Sequence, residues 1–375
     1  MDEFAQLSRE NFEVFQRYGD ALGPDPKHRA IAICASPSAP PTYVEKDLKL
    51  DQLPKFFENQ NAHAAGVAQA ASLKLVVMDS RLESWSNFSA SLRTTKDVFL
   101  SLVDVMRMNP AALWLLRSEY DGFHHFESSS TSPFANDDGD GDGDGDGGGD
   151  VGADVNTYYV GTSNFVLVWT WDGRRRCTRA LWILRQQQSF SNSAPVAWFV
   201  NVLRRHQAHA HSPHLLAYAT ALSTACLFDG ETAYRAHVVR LTERETGYST
   251  HSSSIEERLG MESLTVSIKE VGEVLNHIAN KQRHFRFVDA MLDFVVQNAI
   301  EDPRDRTEAE EKSTRKLIAA IPLLRRRMHA SRDYLEYLKE RAERLSTVVG
   351  TFGAVTPILN SPSPFLGAPL YYAYV

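Results

Sequence analysis

The fold of this chain is decided by residues 264–299, LTVSIKEVGEVLNHIANKQRHFRFVDAMLDFVVQNA. Apolar side chains recur here at alternating spacings of four and three, which is typical of the buried seam of a long helix packed against another helix. The positions of this first ladder are Leu264, Ile268, Val271, Leu275, Ile278, Gln282, Phe285, Val288, Leu292, Val295 and Ala299. At a rise of about 1.5 Å per residue, the ladder predicts a helix of roughly 60 Å.

A second ladder follows within residues 317–349. Its positions are Leu317, Ile321, Leu324, Met328, Ser331, Leu335, Leu338, Ala342, Leu345 and Val349. Pro322 lies inside this ladder, where it should either kink the helix or mark its true start. The two ladders predict a long antiparallel helical hairpin, a stalk, over residues 256–350.

The sequence pattern of the region before the stalk predicts a mixed α/β domain with antiparallel strands. Residues 29–34 and 73–78 are short apolar runs of the kind found in buried strands. Residues 157–184 contain aromatic and β-branched runs separated by turn residues, a pattern typical of antiparallel hairpins. Residues 215–228 predict an apolar helix that stops near Gly230. With the stalk added, the predicted fold class is α+β.

Two segments have the composition of disordered chain. Within the mixed domain, residues 1–255, the segment 128–156 consists mainly of Ser, Thr, Asp and Gly, and we predict a disordered insert there. An Asp-Gly alternation in it resembles the start of a calcium loop, but the required glutamate is missing from the twelfth position. Residues 351–375 are Pro-rich, and we predict a disordered tail.

Composition and charge exclude several classes of protein. The chain has 375 residues and a formal net charge of −7, which argues against a general nucleic-acid partner. Its three cysteines are widely spaced in apolar surroundings, as expected for reduced residues in the cytosol. No secretory signal and no long uninterrupted apolar stretch occur. We therefore predict a cytoplasmic location, with membrane association only if the full-length protein has transmembrane helices.

A histidine cluster is the first candidate for chemistry. His206, His209, His211 and His214 follow the spacing H-x2-H-x-H-x2-H, which could bind zinc or copper. Pro213 interrupts the cluster, and no cysteine or carboxylate lies within ligand spacing, so a polar histidine-rich loop is the favoured interpretation. No nucleophile elbow, phosphate-binding loop or paired-cysteine motif is present in a supporting context. We predict that the protein is not an enzyme.

The tryptophans are the second candidate. Trp169 and Trp171 stand two residues apart, so they share one face of a predicted strand. Such a pair could stack on nucleic-acid bases, but it is more typical of a core or an interface.

Three stretches resemble the soluble portion of the fungal branch of the CorA-like magnesium transporter family. They are residues 79–85 (DSRLESW), residues 182–186 (WILRQ) and residues 334–345 (YLEYLKERAERL). The resemblance implies a cytosolic α/β domain followed by long stalk helices, the last of which continues into the first membrane helix. The family's Gly-Met-Asn signature and membrane helices are absent, since Gly260-Met261-Glu262 lacks the asparagine. We therefore expect a chain that ends before the pore and does not conduct ions by itself.

The resemblance also implies Mg²⁺ at subunit interfaces and a homo-oligomer formed through the stalk. Candidate metal ligands are the acidic residues on or near the first stalk helix, Asp289, Asp293, Glu301 and Asp302. A solvated helix face explains the same residues. The alternative function is a coiled-coil scaffold or regulatory protein with no ion role.

Overall fold

The protein has an α+β fold, as predicted from the sequence. The computed structural model describes residues 2–18, 27–36, 38–58, 70–82, 90–118, 120–127, 155–186, 193–246, 261–301 and 307–359. The strands are β1 (Lys27–Ser36), β2 (Ala39–Lys49), β3 (Ala71–Leu82), β4 (Ala90–Leu92), β5 (Gly122–Phe126), β6 (Val155–Gly161), β7 (Phe165–Asp172) and β8 (Cys177–Gln186). The helices are α1 (Asp2–Phe15), α2 (Leu53–Glu58), α3 (Lys96–Met106), α4 (Ala111–Arg117), α5 (Ser193–Arg205), α6 (Leu215–Glu245), α7 (Met261–Glu301) and α8 (Glu308–Leu359).

The strands form one mixed sheet in the order β2-β1-β3-β8-β7-β6-β5, with β4 paired to β3. Neighbouring strands are antiparallel except β3 and β8, which run parallel with Leu75 opposite Ala180. The predicted hairpins at residues 157–184 are strands β6, β7 and β8. The insert predicted at residues 128–156 reaches into β6, which begins at Val155, and residues 128–154 lie outside the described part of the chain.

Both faces of the sheet bury large apolar side chains. On one face, Val76, Val168 and Leu181 belong to a core cluster with Phe12 of α1 and Phe99 of α3. The opposite face contains an aromatic row. In it, Trp182 stacks on Phe165 with ring centroids 4.2 Å apart, and Trp169 stacks on Tyr158 at 5.0 Å. Burial on both faces explains why β7 is a continuous apolar run rather than an alternating one.

The tryptophan pair on β7 belongs to this core. Trp169 and Trp171 are both buried on the face that carries the aromatic row. Buried indoles cannot stack on bases, so the structure favours the core interpretation of the sequence pattern over a nucleic-acid platform.

The chain divides into two compact units that differ from the predicted boundaries. The sheet unit comprises Met1–Leu227 and His284–Arg326, and the helical unit comprises Phe228–Arg283 and Arg327–Val375. Helices α6, α7 and α8 each contribute residues to both units.

Helix α6 is longer than its sequence predicts. It runs through Gly230 and ends at Glu245. A glycine inside a helix costs about 1 kcal/mol relative to alanine, which weakens a helix without ending it. Buried residues beyond the glycine, including Ala236 and Val239, stabilise this extension.

Gly230→Ala should therefore stabilise the protein by about 0.5–1 kcal/mol, because it reduces the entropy of the unfolded chain and improves helix propensity. A Cβ at this position would meet no atom within 4 Å. Thermal unfolding followed by circular dichroism at 222 nm measures the effect. The matched control is Gly161→Ala, whose Cβ would lie 1.9 Å from the Tyr120 carbonyl oxygen and should destabilise the protein. A lower melting temperature for Gly230→Ala would contradict the helix assignment.

The ladder in α8 is buried nearly throughout. Its described buried members are Leu317, Ile321, Leu324, Met328, Leu335, Leu338, Ala342 and Leu345. The helix passes through Pro322, which is exposed, so the carbonyl that the proline leaves without a donor can be hydrated. Pro322 therefore does not mark the start of the helix. The end of α8 at Leu359 lies within the predicted tail, and residues 360–375 are outside the described chain.

The ladder in α7 is buried at most of its positions. The exposed exception is Ile268, and the buried members are Val271, Ile278, Phe285, Val288, Leu292 and Val295. Nearer the start of the helix, Val274 and Lys281 are buried in place of the predicted Leu275 and Gln282, which are half-buried. A straight helix drifts about 20° per heptad relative to a strict seven-residue repeat, and this drift brings the neighbouring positions into the core.

Candidate functional site

Charged pairs set the register of α6 against α8 in the helical unit. Arg341 of α8 donates through Nε to Glu243 Oε1 of α6 at 2.9 Å, and through Nη2 to Oε2. Arg327 donates through Nε and Nη2 to Asp229 Oδ2 at 2.8 and 2.5 Å. Both pairs join residues 98 positions apart, so the two helices run parallel with a constant offset. Forked arginine–carboxylate contacts have specific geometry, which favours this register over a shifted one.

Helix α7 runs antiparallel to α6 in the same unit. Arg235 Nη1 of α6 lies 3.6 Å from Glu273 Oε2 of α7. Glu231 lies one turn earlier on α6, and it pairs with Lys281, which lies further along α7. Lys281 is buried, with its Nζ 3.8 Å from the centroid of the Phe228 ring. Burial lowers the pKa of Lys281, and the Glu231 carboxylate partly opposes this effect. The helical unit is thus a three-helix bundle, in which α6 joins the predicted antiparallel pair of α7 and α8.

The predicted metal ligands lie at the second half of α7. Asp289 is half-buried, and Asp293 is exposed one helical turn later. Asp293 Oδ1 accepts a hydrogen bond from Arg325 Nη2 of α8. Glu301 is the last residue of α7, and Asp302 lies outside the described residues. In the described ranges, no three His, Cys, Asp or Glu side chains come together as a group that could hold a metal ion.

The histidine cluster forms the turn and short 3₁₀ segment between α5 and α6. The ring of His206 contacts Tyr218 edge-on at 5.4 Å between centroids, and His214 contacts Phe294 of α7 at 6.1 Å. His211 is buried, and its Nδ1 has no hydrogen-bond partner among the described residues. His206 and His214 therefore pack against different aromatic neighbours, although the rings of His206 and His209 lie 6.0 Å apart between centroids. The separate packing of His206 and His214 favours the loop interpretation over a zinc or copper site shared by the four rings.

His125 on β5 is a half-buried histidine outside that cluster. Its ring stacks on Tyr158 at 4.7 Å, and the ring of Phe294 lies at the same distance. Burial lowers the pKa of His125, while Glu127 and a hydrogen bond with Asn156 raise it by less. Burial likewise lowers the pKa of His28 and of His211.

The lowered pKa values of these histidines predict that the protein loses stability in mild acid. Their folded-state pKa values lie below the unfolded value of about 6.5, so the unfolded chain binds more protons as the pH falls from about 7 towards 5. The stabilising contribution is complete above the unfolded pKa and is lost as the pH falls through the folded pKa.

Denaturant unfolding at a series of pH values measures how steeply the free energy of unfolding falls as the pH is lowered from about 7 towards 5. This dependence is the slope compared between variants. His125→Phe should reduce it, because phenylalanine retains the ring stacking and removes the titrating group. The control is His329→Gln at an exposed position of α8, which should leave the slope unchanged. An unchanged slope in His125→Phe would contradict the prediction.

Two features of the described residues were not predicted from the sequence. The second half of α6 completes the helical bundle, although its sequence predicts a helix end near Gly230. Lys74 and Arg179 are buried in the sheet, and the available signal was a single charge inside an otherwise apolar strand. A single charge in a strand indicates a cluster of charges only when the residue opposite it in the sheet is known. The pairing of β3 with β8 cannot be predicted from local sequence.

No protein-family model and no curated protein sequence matches this chain. None of the helices in the described ranges combines the length and apolar content that crossing a bilayer requires.

Proposed function

We propose that this chain is the cytosol-facing, non-enzymatic domain of a CorA-like divalent-cation transporter. The observation that supports the proposal is the order of its parts, a mixed sheet followed by long helices that end in α8. At about 1.5 Å per residue, the 52 residues of α8 extend for roughly 78 Å. The resemblance at residues 79–85, 182–186 and 334–345 implies the same order. Cys34, Cys177 and Cys226 are thiols that form no disulfide, which is consistent with a reducing compartment.

In this proposal the stalk associates with further copies of the chain, and Mg²⁺ binds between them. Asp289 and Asp293 are one turn apart on α7 and present hard oxygen ligands, which Mg²⁺ prefers. Two carboxylates supply fewer ligands than the octahedral shell of Mg²⁺ takes, so water and a second copy complete it. The ion pair of Asp293 with Arg325 competes with the cation, because a guanidinium and a metal ion cannot both occupy the same carboxylate oxygen.

The alternative is a scaffold protein whose stalk associates without any ion. The ion pairs of the helical unit fit this function equally well, because they fix helix register whatever the bundle binds. The two functions differ in one measurable property, the dependence of stability and of association on Mg²⁺.

Thermal unfolding in a Mg²⁺ titration separates them. We expect Mg²⁺ to stabilise the native chain by about 1.4 kcal/mol at a concentration tenfold above its dissociation constant. The double variant Asp289→Asn, Asp293→Asn should lose most of this effect. Asp333→Asn removes one exposed carboxylate from α8 and serves as the matched control. Stability that is independent of Mg²⁺ in the native chain would contradict the transporter proposal and favour the scaffold.

A further inference from the structure

Two cations are buried next to each other inside the sheet unit. Lys74 of β3 and Arg179 of β8 are directly opposite in the parallel pairing of these strands. Only 2% of the Lys74 surface and 5% of the Arg179 surface are exposed. Adjacent parallel strands place opposed residues on the same face, so the two side chains leave the sheet side by side. The covering element on this face is α2.

The same backbone carbonyl group accepts a hydrogen bond from each of the two side chains. Lys74 Nζ and Arg179 Nε each donate to the carbonyl oxygen of Phe57, near the end of α2, at 3.4 Å. These contacts are long for hydrogen bonds. Arg179 Nη1 is buried and has no hydrogen-bond partner among the described residues, and the described chain contains no ion pair to Arg179. A buried guanidinium without a counter-charge is strongly unfavourable, so this nitrogen indicates a missing acceptor.

A third cation stands at the exposed edge of the cluster. Lys46 Nζ lies 5.3 Å from the centroid of the Phe56 ring, and Lys74 Nζ lies 5.7 Å from the same centroid. Burial lowers the pKa of Lys74; the nearby Cys177 thiol raises it, and the charges of Arg179 and Lys46 lower it further. Lys46 is exposed, so the ring of Phe56 has both a buried lysine and a solvent-facing lysine close to it. The cluster is therefore positively charged from the surface inwards.

We propose that Lys74, Arg179 and Lys46 form a binding site for a phosphate dianion. A planar guanidinium presents parallel N–H donors that match two phosphate oxygens, and Nη1 of Arg179 is the donor available for this contact. Phosphate also carries the charge opposite to that of all three side chains. The phosphate is either the free ion or the phosphoryl group of a small molecule. The site does not depend on the proposed transport function, because it lies wholly in the sheet unit.

Thermal unfolding of the full chain tests the site with two probes, inorganic phosphate and glycerol 3-phosphate. Each is added at millimolar concentration against sodium chloride of equal ionic strength, and isothermal titration calorimetry measures binding directly. We expect at least one probe to raise the melting temperature by several degrees and to bind with a stoichiometry of one. A response to inorganic phosphate alone identifies the free ion as the ligand, and an equal or larger response to the ester identifies a phosphoryl group. No response to either probe would overturn the proposal.

Three variants locate the site. Arg179→Gln removes the positive charge and the parallel N–H donors of the guanidinium. It should abolish the rise in melting temperature on addition of phosphate. Because a substitution at a buried position can prevent folding, the exposed Lys46→Gln provides a second measurement and should weaken phosphate binding several-fold. Lys55→Gln makes the same charge change on the exposed side of α2 and should bind phosphate like the native chain. Native affinity in a folded Arg179→Gln or in Lys46→Gln would overturn the assignment.

Discussion

Trp182→Ala is expected to lower the free energy of unfolding of the sheet unit by about 3–5 kcal/mol. The side chain is 1% exposed and lies between two aromatic rings, Phe165 of β7 and Phe199 of α5, each 4.2 Å away between ring centroids. Removing the indole therefore loses its buried apolar area and leaves a cavity that neighbouring strands cannot close.

The measurement is denaturant unfolding followed by tryptophan fluorescence. All six tryptophans fall within residues 85–198, so this signal reports on the sheet unit. The matched control is Trp198→Ala on α5, where 46% of the side chain is exposed, and its effect should be about 1 kcal/mol or less. Equal effects of the two variants would contradict the burial described for β8.

Leu338→Ala is expected to destabilise the helical unit by about 2–5 kcal/mol. Leu338 is completely buried in α8, at a ladder position that faces the core of the three-helix bundle. The bundle is narrow, so a cavity there lies close to side chains of every helix that surrounds it. Since alanine is the best helix former, the loss would come from packing and not from helix propensity.

Circular dichroism at 222 nm is the suitable probe here, because the helical unit contains no tryptophan. Leu323→Ala is the matched control on the same helix, with 66% of the side chain exposed, and it should change stability by less than about 0.5 kcal/mol. A protein with two compact units need not unfold in one step, so fluorescence and circular dichroism should be recorded on every variant. A Leu338→Ala protein as stable as Leu323→Ala would show that the ladder is not the core of the bundle.

The sequence predicted the parts of the fold in which one physical pattern dominates. The ladder of α8 identified its buried face because apolar side chains at helical spacing leave few alternatives. The strands at residues 157–184 were equally clear, since aromatic and β-branched runs broken by turns are specific to hairpins. In both cases the local preference and the tertiary packing agree.

The sequence failed where tertiary packing overrides a local signal. Gly230 reads as a helix end, but α6 continues because its second half packs into the bundle. The strict heptad in α7 identified most of the buried positions but not all of them. Because a straight helix drifts relative to a seven-residue repeat, Lys281 is buried in place of Gln282. A buried lysine is unfavourable alone, and only its pairing with Glu231 and the ring of Phe228 makes the position tolerable.

The candidate sites were harder to predict than the fold. The four acidic residues were chosen by charge alone, and charge does not reveal that Asp293 pairs with Arg325. The histidine cluster had regular spacing, but spacing along the chain does not determine where the rings point. Lys74 and Arg179 stand about 100 residues apart in sequence, so their contact with one carbonyl group depends on the parallel pairing of β3 and β8.

The mass of the purified chain in solution tests the proposed function most directly. Size-exclusion chromatography with light scattering should be run in millimolar Mg²⁺ and again in EDTA at the same ionic strength. A single chain has a mass of 42.1 kDa. Our account predicts an assembly of several chains in Mg²⁺ that dissociates, at least in part, in EDTA. A mass of one chain under both conditions would contradict it.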